Sequence, residues 1–448
     1  MPQGVNKYFS RSIDHHLSTW KDDSKHKPLL LRGARQVGKS SAVRHLGESF
    51  EYFLEVNFER NVNIAELFKV SLNPKEICAK LSAIFGVPIE PGKTLLFFDE
   101  IQSCLPAIAS LRFFYEEYPE LHIIAAGSLL EFALQEIPSF GVGRIRSLYL
   151  YPFSFDEFLL AQELGLLVEE KNNASVEKPL LLPLHTKLAN NLRTFFLVGG
   201  MPESVKTWIE KTDYLQCRLV QNDILQTYMD DFAKYKKRIS PVVLLQTLRS
   251  VALQSGSKFV YSQVMGDVEP GKIKDALELL TMAGIIIPIT HTAANGLPLG
   301  AEINAKFRKF IFMDTGLLQR LLNLDMENIF LSTTNNLVNN GAISEVFVGL
   351  ELLKHGSPYE RQELFYWVRL HKGAQAEVDY VISNKGHVLP IEVKAGTKGA
   401  MQSLYQFMAL KKSKSGIRTS LENFGRIGLV DIYPLYAIGN ILNNKIIH

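Results

Sequence analysis

The residues Gly33-Ala34-Arg35-Gln36-Val37-Gly38-Lys39-Ser40 set two glycines around four mixed residues, then a lysine and a hydroxyl. That spacing, G-x-x-x-x-G-K-[ST], suits a triphosphate. Loop amides and the start of a helix face the phosphate oxygens, the lysine adds a point charge, and the hydroxyl is a ligand for Mg²⁺. Lys39 is expected on the β- and γ-phosphates and Ser40 on Mg²⁺, with Ser41 among the nucleotide contacts. An apolar run, "TLLFFDE", ends in Asp99 and Glu100. Asp99 is a candidate to hold Mg²⁺, and Glu100 to orient or deprotonate an attacking water. Gln102 stands two residues on, either assisting or as ordinary surface.

Ser128 closes a further apolar run, "LHIIAAG". Two roles are open to it, sensing the γ-phosphate or capping a helix. Arg144 and Arg146 follow in "GVGRIRSLYL". An arginine there is a candidate to stabilise transition-state charge, in cis or from a neighbouring subunit, with surface ion pairing as the alternative.

A second constellation lies far downstream. "AEVDYVISNKGHVLPIEVKAG" holds Asp379, Glu392 and Lys394. Residues two apart in a strand share a face, so Glu392 and Lys394 point the same way. A two-residue turn at Lys385-Gly386 brings Asp379 opposite Glu392; a three-residue loop slips the pairing by one and opposes Asp379 to Ile391. In the first register two carboxylates for Mg²⁺ converge with a lysine.

These groups need elements to position them. Nearly continuous apolar runs at 27–33, 52–58, 94–100, 121–127 and 146–153 alternate with helical stretches, the pattern of a parallel sheet covered on both faces. The expected organisation is an N-terminal helix in 1–27 and an α/β core in 28–153. A helical region at 154–238 opens on a capping box at Ser154 and Glu157, with a polar loop over 168–180. Residues 239–300 read as three helices and a hairpin, a winged helix, and 301–448 as a mixed α/β domain. For nucleic acid the natural contacts are Lys272 and Lys274 in the third helix and the basic run "KYKKR" (234–238).

"LLLRGARQVGKSSAV", "LLFFDEIQ", "IIAAGSLLEF", "YPFSFDEF" and "FLVGGMPESV" together resemble the AAA+-type P-loop ATPases of bacteria and archaea that carry a C-terminal domain of unknown function. The resemblance runs over nearly the whole chain. It implies an ASCE-type sheet with Walker A and B motifs, Glu100 as catalytic glutamate and Ser128 at the sensor-1 position, where many members have Asn. The D-x12-E-x-K pattern resembles the PD-(D/E)xK nuclease superfamily, which implies Glu345, in the helix "ISEVFVGLELL", as an extra acid.

The chain has 448 residues, room for two to four domains, and a net charge of +3 that by itself demands no polyanionic partner. Cys78, Cys104 and Cys217 lie far apart and form neither a metal spacing nor a disulfide framework, so a cytoplasmic setting is expected. No run of about 18 apolar residues suggests a membrane span. The expectation is an ATP- and Mg²⁺-dependent ATPase whose nucleotide state controls its C-terminal domains, with DNA or a protein as partner and an oligomer allowed. The alternatives are an ATP-regulated, metal-dependent nuclease and a non-catalytic nucleotide switch or scaffold.

Overall fold

The computed structural model describes residues 7–137, 141, 143–235, 239–323, 340–369, 376–396 and 401–442. It divides into two compact units. The first holds the chain up to Pro152 with Met282–Gly284 and Pro358–Arg361; the second holds Phe153–Thr281, Ile285–Ser357 and the chain from Gln362 on. Among the described residues no helix is long and apolar enough to cross a membrane. The three cysteines are buried and free.

In the first unit all five expected strands form, as β1 (Leu29–Arg32), β2 (Tyr52–Asn57), β3 (Thr94–Asp99), β4 (His122–Ala126) and β5 (Arg146–Tyr149). They make one parallel sheet in the order β2-β3-β4-β1-β5. Leu95, Leu96, Phe97 and Phe98 of β3 are wholly buried, so both faces of the strand are covered and periodicity gives way to a continuous apolar run. Burying each such side chain contributes about 1.5–3 kcal/mol. Helices α1 (Ser12–Asp22), α2 (Lys39–Gly47), α3 (Ala65–Val70), α4 (Pro74–Phe85), α5 (Leu105–Glu117) and α6 (Leu130–Glu136) complete the unit. Asn73 caps α4 through its side chain, and Gly86 in the left-handed region ends it.

The second unit begins with α7 (Phe155–Ala161), whose capping box forms as expected: Glu157 N–H donates to Ser154 Oγ at 3.2 Å, and Ser154 N–H to Glu157 Oε2 at 2.8 Å. Helix α8 (Gly165–Asn173) takes in the first half of the stretch expected as loop. The reason is Lys171, buried at 1 % exposure against Asp156 at 2.9 Å. Helices α9 (Leu182–Val198), α10 (Pro202–Lys211) and α11 (Tyr214–Asp231) follow. The Gly-Gly break before α10 is a close approach: a Cβ on Gly200 would lie 2.4 Å from the Phe153 carbonyl oxygen.

Of the three helices expected over 239–300, α12 (Pro241–Leu253) and α13 (Pro270–Met282) form; between them lies only a 3₁₀ turn, Tyr261–Gln263. Val260 and Tyr261 prefer extended backbone, and Gly266 has φ +85°, so a helix is disfavoured there. The hairpin β6 (Ile286–Thr292) and β7 (Ile303–Phe312) spans the boundary expected at 300. Strand β6 pairs parallel with β8 (Leu364–Val368), so this hairpin joins an eight-stranded sheet rather than ending a separate module.

Beyond α14 (Thr315–Leu321), α15 (Asn340–Lys354) leads into β8, β9 (Glu377–Asn384) and β10 (His387–Val393), an antiparallel meander. Helix α16 (Gln402–Lys411) then crosses to β11 (Gly416–Ser420), parallel to β10. Strands β12 (Gly425–Ile427) and β13 (Val430–Pro434) complete the order β12-β13-β11-β10-β9-β8-β6-β7. The basic run 234–238 lies outside the residues whose side chains are described.

Candidate nucleotide site and acidic cluster

Strand β1 ends at Arg32, and the chain turns at Gly33 with φ +144°. A Cβ there would sit 2.1 Å from the Leu150 carbonyl oxygen, so only glycine fits. Gly38, at φ +98°, starts α2 without a side-chain cap, and no acid occupies the helix's first turn. The first amides of α2 are thereby left for a ligand. Lys39 is 7 % exposed, and its ammonium donates to the Gly33 and Ala34 carbonyls at 2.9 and 2.7 Å. Among the described residues it has no carboxylate within ion-pair distance, so a buried positive charge lies open to a phosphate. Burial pushes the Lys39 ammonium down to about 8, partly offset by the charges of Glu100 and Asp99.

Ser40 Oγ donates to Asp99 Oδ1 at 3.0 Å, and Asn57 Nδ2 donates to Asp99 Oδ2 at 3.1 Å. The pairing of Asn57 with Asp99 across β2 and β3 makes the second contact. Burial raises the Asp99 carboxyl above its ordinary value. A hydroxyl and a carboxylate held together beside a buried ammonium fit Mg²⁺ with a nucleotide phosphate, and Ser40 and Asp99 are the groups that would hold the ion.

Glu100 takes left-handed backbone (φ 49°), a conformation costly for a branched-free but bulky acid. Its Oε2 accepts from Gln102 Nε2 at 2.7 Å, from Ser128 Oγ at 3.2 Å and from Ser128 N–H at 3.3 Å. Ser128 is not a helix cap; α6 starts at Leu130 with Leu129 at its cap. Gln102 is hydrogen-bonded to Glu100 rather than free surface, and Gly127 makes room for it, since a Cβ there would fall 2.0 Å from Gln102 Oε1.

Sequence reasoning passed over Asn57 and Arg11. Arg11 is 7 % exposed and donates to the Val37 carbonyl at 3.2 Å and the Tyr151 carbonyl at 2.8 Å, tying the phosphate loop to the start of α1. Neither belongs to a motif; each becomes visible only through strand pairing or tertiary contact. The in-cis role expected for Arg144 and Arg146 is corrected. Arg146 pairs with Leu29 at the amino end of β1, the edge opposite the loop at its carboxyl end. Arg144 forms an ion pair with Glu116 and Arg146 one with Asp23.

In the second unit the turn at Lys385-Gly386 has two residues, both with positive φ (49° and 77°), and pairs Asn384 with His387. The register continues through Tyr380 and Ile391, which brings Asp379 level with Glu392. Asp379 Oδ2 accepts from Val393 N–H at 2.8 Å, and Lys394 Nζ donates to Glu392 Oε1 at 2.6 Å. Glu345 of α15 is there too, but its Oε1 is taken by Lys309 of β7 at 2.9 Å. Lys309, at 0 % side-chain exposure, also forms an ion pair with Glu377. Burial raises the carboxyls of Asp379, Glu392 and Glu345, Glu392 to about 7 and Glu345 to about 8. Among the described residues no three His, Cys, Asp or Glu side chains are arranged as a ready metal site. Lys272 and Lys274, expected to face nucleic acid, are exposed and pair with Glu269 and Glu278 on their own helix or just before it.

Three stretches of the chain match known domain families. Residues 25–159 match an AAA domain, 189–328 a domain of unknown function (DUF8612), and 340–438 another domain of unknown function (DUF4143). The first unit therefore contains a P-loop domain of the AAA type, the class that binds ATP, usually with Mg²⁺. No curated protein matches the chain. Among solved structures it is similar to the Walker-type ATPase PABY2304 of Pyrococcus abyssi, at 17 % identity over 70 % of this chain and 96 % of that one, with a TM-score of 0.44.

Proposed function

We propose that this protein hydrolyses ATP with Mg²⁺, and that its nucleotide state controls the second unit. The observation that carries this reading is Glu100, a carboxylate fixed by Ser128 and Gln102 beside the Ser40–Asp99 pair. A bound Mg²⁺ supplies charge neutralisation on the phosphates. Lys39 adds positive charge, and Glu100 accepts the proton of the attacking water. Ser128 is a positioning residue, acting through Glu100. Glu100→Gln is expected to bind ATP and lose at least about 100-fold in turnover, the usual scale for a lost general base. Lys39→Ala is expected to lose ATP binding. Normal turnover in Glu100→Gln refutes hydrolysis through this residue; ATP binding by wild type without phosphate release favours a nucleotide switch.

A second reading, nucleic acid as partner with an ATP-regulated nuclease activity, has its own support. The order α15-β8-β9-β10-α16-β11 and the Asp379, Glu392 and Lys394 constellation fit the PD-(D/E)xK pattern. A cavity of about 1000 Å³ in the same unit, at the Lys385-Gly386 turn and lined by none of those three residues, carries Lys385, Lys411, Lys412 and Lys414 against one acid, Asp431. A basic cleft suits a phosphodiester backbone. ATPase rates with and without single- and double-stranded DNA test the link; rates unchanged by DNA, and DNA left intact with Mg²⁺ or Mn²⁺, refute it.

A further inference from the structure

The acidic cluster of the second unit has a resident cation. Lys309 comes from β7, on the far side of the sheet order from β9 and β10. Its ammonium donates to Glu345 at 2.9 Å and to the Gly256 carbonyl at 3.3 Å, pairs with Glu377, and lies 5.1 Å from the centre of the Tyr366 ring. The side chain is wholly buried. An ammonium without water is stable only where carboxylates surround it; this one is paired directly with Glu345 and Glu377, and its charge also acts on Asp379.

The other half of the cluster differs. Glu392 is 6 % exposed; Lys394 satisfies its Oε1, while its Oε2 is buried with no hydrogen-bond partner. Asp379 spends Oδ2 on the Val393 amide. Four carboxylates (Glu345, Glu377, Asp379 and Glu392) thus share two ammoniums, Lys309 and Lys394. With every group ionised, two negative charges remain, and the unsatisfied oxygen lies on the Asp379–Glu392 side.

We propose that Lys309 permanently fills the Glu345 half of this cluster, so that the cluster takes one divalent cation, at Asp379 and Glu392, and not two. This rests on the cluster being a cation site at all. It removes Glu345 from the ligands and makes Lys309 a specificity-determining residue. A site with one ion can still polarise a phosphate oxygen or activate a water, but it cannot clamp both attacking and leaving oxygens between two ions.

The test is Mn²⁺ binding to the full chain without nucleotide, by titration calorimetry and by electron paramagnetic resonance of free Mn²⁺. The ions that count are those lost in Glu392→Gln. Wild type is expected to bind one such ion, and Glu345→Gln to keep it with less than a threefold change in affinity. Lys309→Met is expected to gain a second ion, lost again in the double variant Lys309→Met/Glu345→Gln. Thermal melting checks the folding of each variant. Two ions in wild type, loss of the ion in Glu345→Gln, or a folded Lys309→Met without gain overturns the role of Lys309 while the cation site stands. No Glu392-dependent ion in wild type overturns the cation site and the proposal with it. Should Lys309→Met fail to fold, the wild-type stoichiometry and Glu345→Gln still decide.

Discussion

Removing the charge of Lys39 should make the nucleotide-free protein more stable, although it destroys ATP binding. The folded ammonium is pushed down to about 8 from an ordinary 10.5, first by burial. That gap is worth about 3 kcal/mol at about 1.4 kcal/mol per pH unit. The folded value lies below the unfolded one, so the unfolded chain holds the proton more tightly. The penalty is therefore full below pH 8 and fades as pH rises from 8 towards 10.5. Lys39→Met keeps the length and apolar stem without the charge. It also loses the donations to the Gly33 and Ala34 carbonyls, at about 1 kcal/mol for the pair where the loop can rewater. The net expectation at pH 7 is a gain of about 1–2 kcal/mol, a rise of roughly 2–8 °C in the melting of a unit this size. Nucleotide-free melts of wild type and Lys39→Met at pH 7 and 9.5 measure it, with most of the difference gone at the higher pH. A fluorescent ATP analogue gives the other half: wild-type affinity should fall about fivefold between pH 8 and 9, as the protonated fraction of Lys39 drops from about one half to about one tenth, the phosphate having finished titrating by then, near a pKa of about 6. A Lys39→Met protein less stable than wild type at pH 7, or ATP affinity flat across pH 8–9, refutes the reasoning.

Three further outcomes follow from the geometry. Ser128→Ala removes one of the donors to Glu100 and should lower kcat about tenfold with KM within twofold, the loss scaling with a hydrogen bond to a charged group; steady-state kinetics separate the two constants. Arg144→Ala should leave single-chain turnover within twofold, because its partner Glu116 and the amino ends of the strands lie away from the phosphate loop; ATPase rates at high dilution check this. Cation binding at Glu392 should strengthen as pH rises from 6 to 8, because burial lifts that carboxyl to about 7 and the ion must displace its proton; Mn²⁺ titrations at pH 6, 7 and 8 follow the slope.

The first unit was legible because its central strands β1, β3 and β4 are buried on both faces and its chemistry lies at their ends. A run such as Thr94–Asp99 announces itself by being apolar throughout, and the acids that close it must fall at the carboxyl edge, where the loop after β1 also falls. The arginines of 144–146 were misplaced for the converse reason. Arg144 precedes β5 and Arg146 opens it, so parallel pairing carries them to the amino edge, and the distance is set by register, not by sequence spacing. Arg11 and Asn57 carry no motif, and no local pattern could have shown that one would meet Val37 and the other Asp99.

In the second unit the limit was register, and the turn decides it. Lys385 and Gly386 both adopt positive φ, the two-residue connection whose twist matches the flanking strands, and this alone puts Asp379 level with Glu392. A lysine at φ 49° is uncommon, so the preceding and following strands must hold it there. The same logic explains why Lys309 was missed. It lies 36 residues before Glu345, outside the D-x12-E-x-K segment, and its strand reaches the sheet only through β6, which was expected in the winged module and pairs parallel with β8. Once β7 is the edge strand of that sheet, a lysine pointing inward from it has no water to reach. It must then find carboxylates, and Glu345 and Glu377 are the ones α15 and β9 provide. The charge of the cluster was therefore never a property of the D-x12-E-x-K segment; it was set by a strand that the motif does not contain.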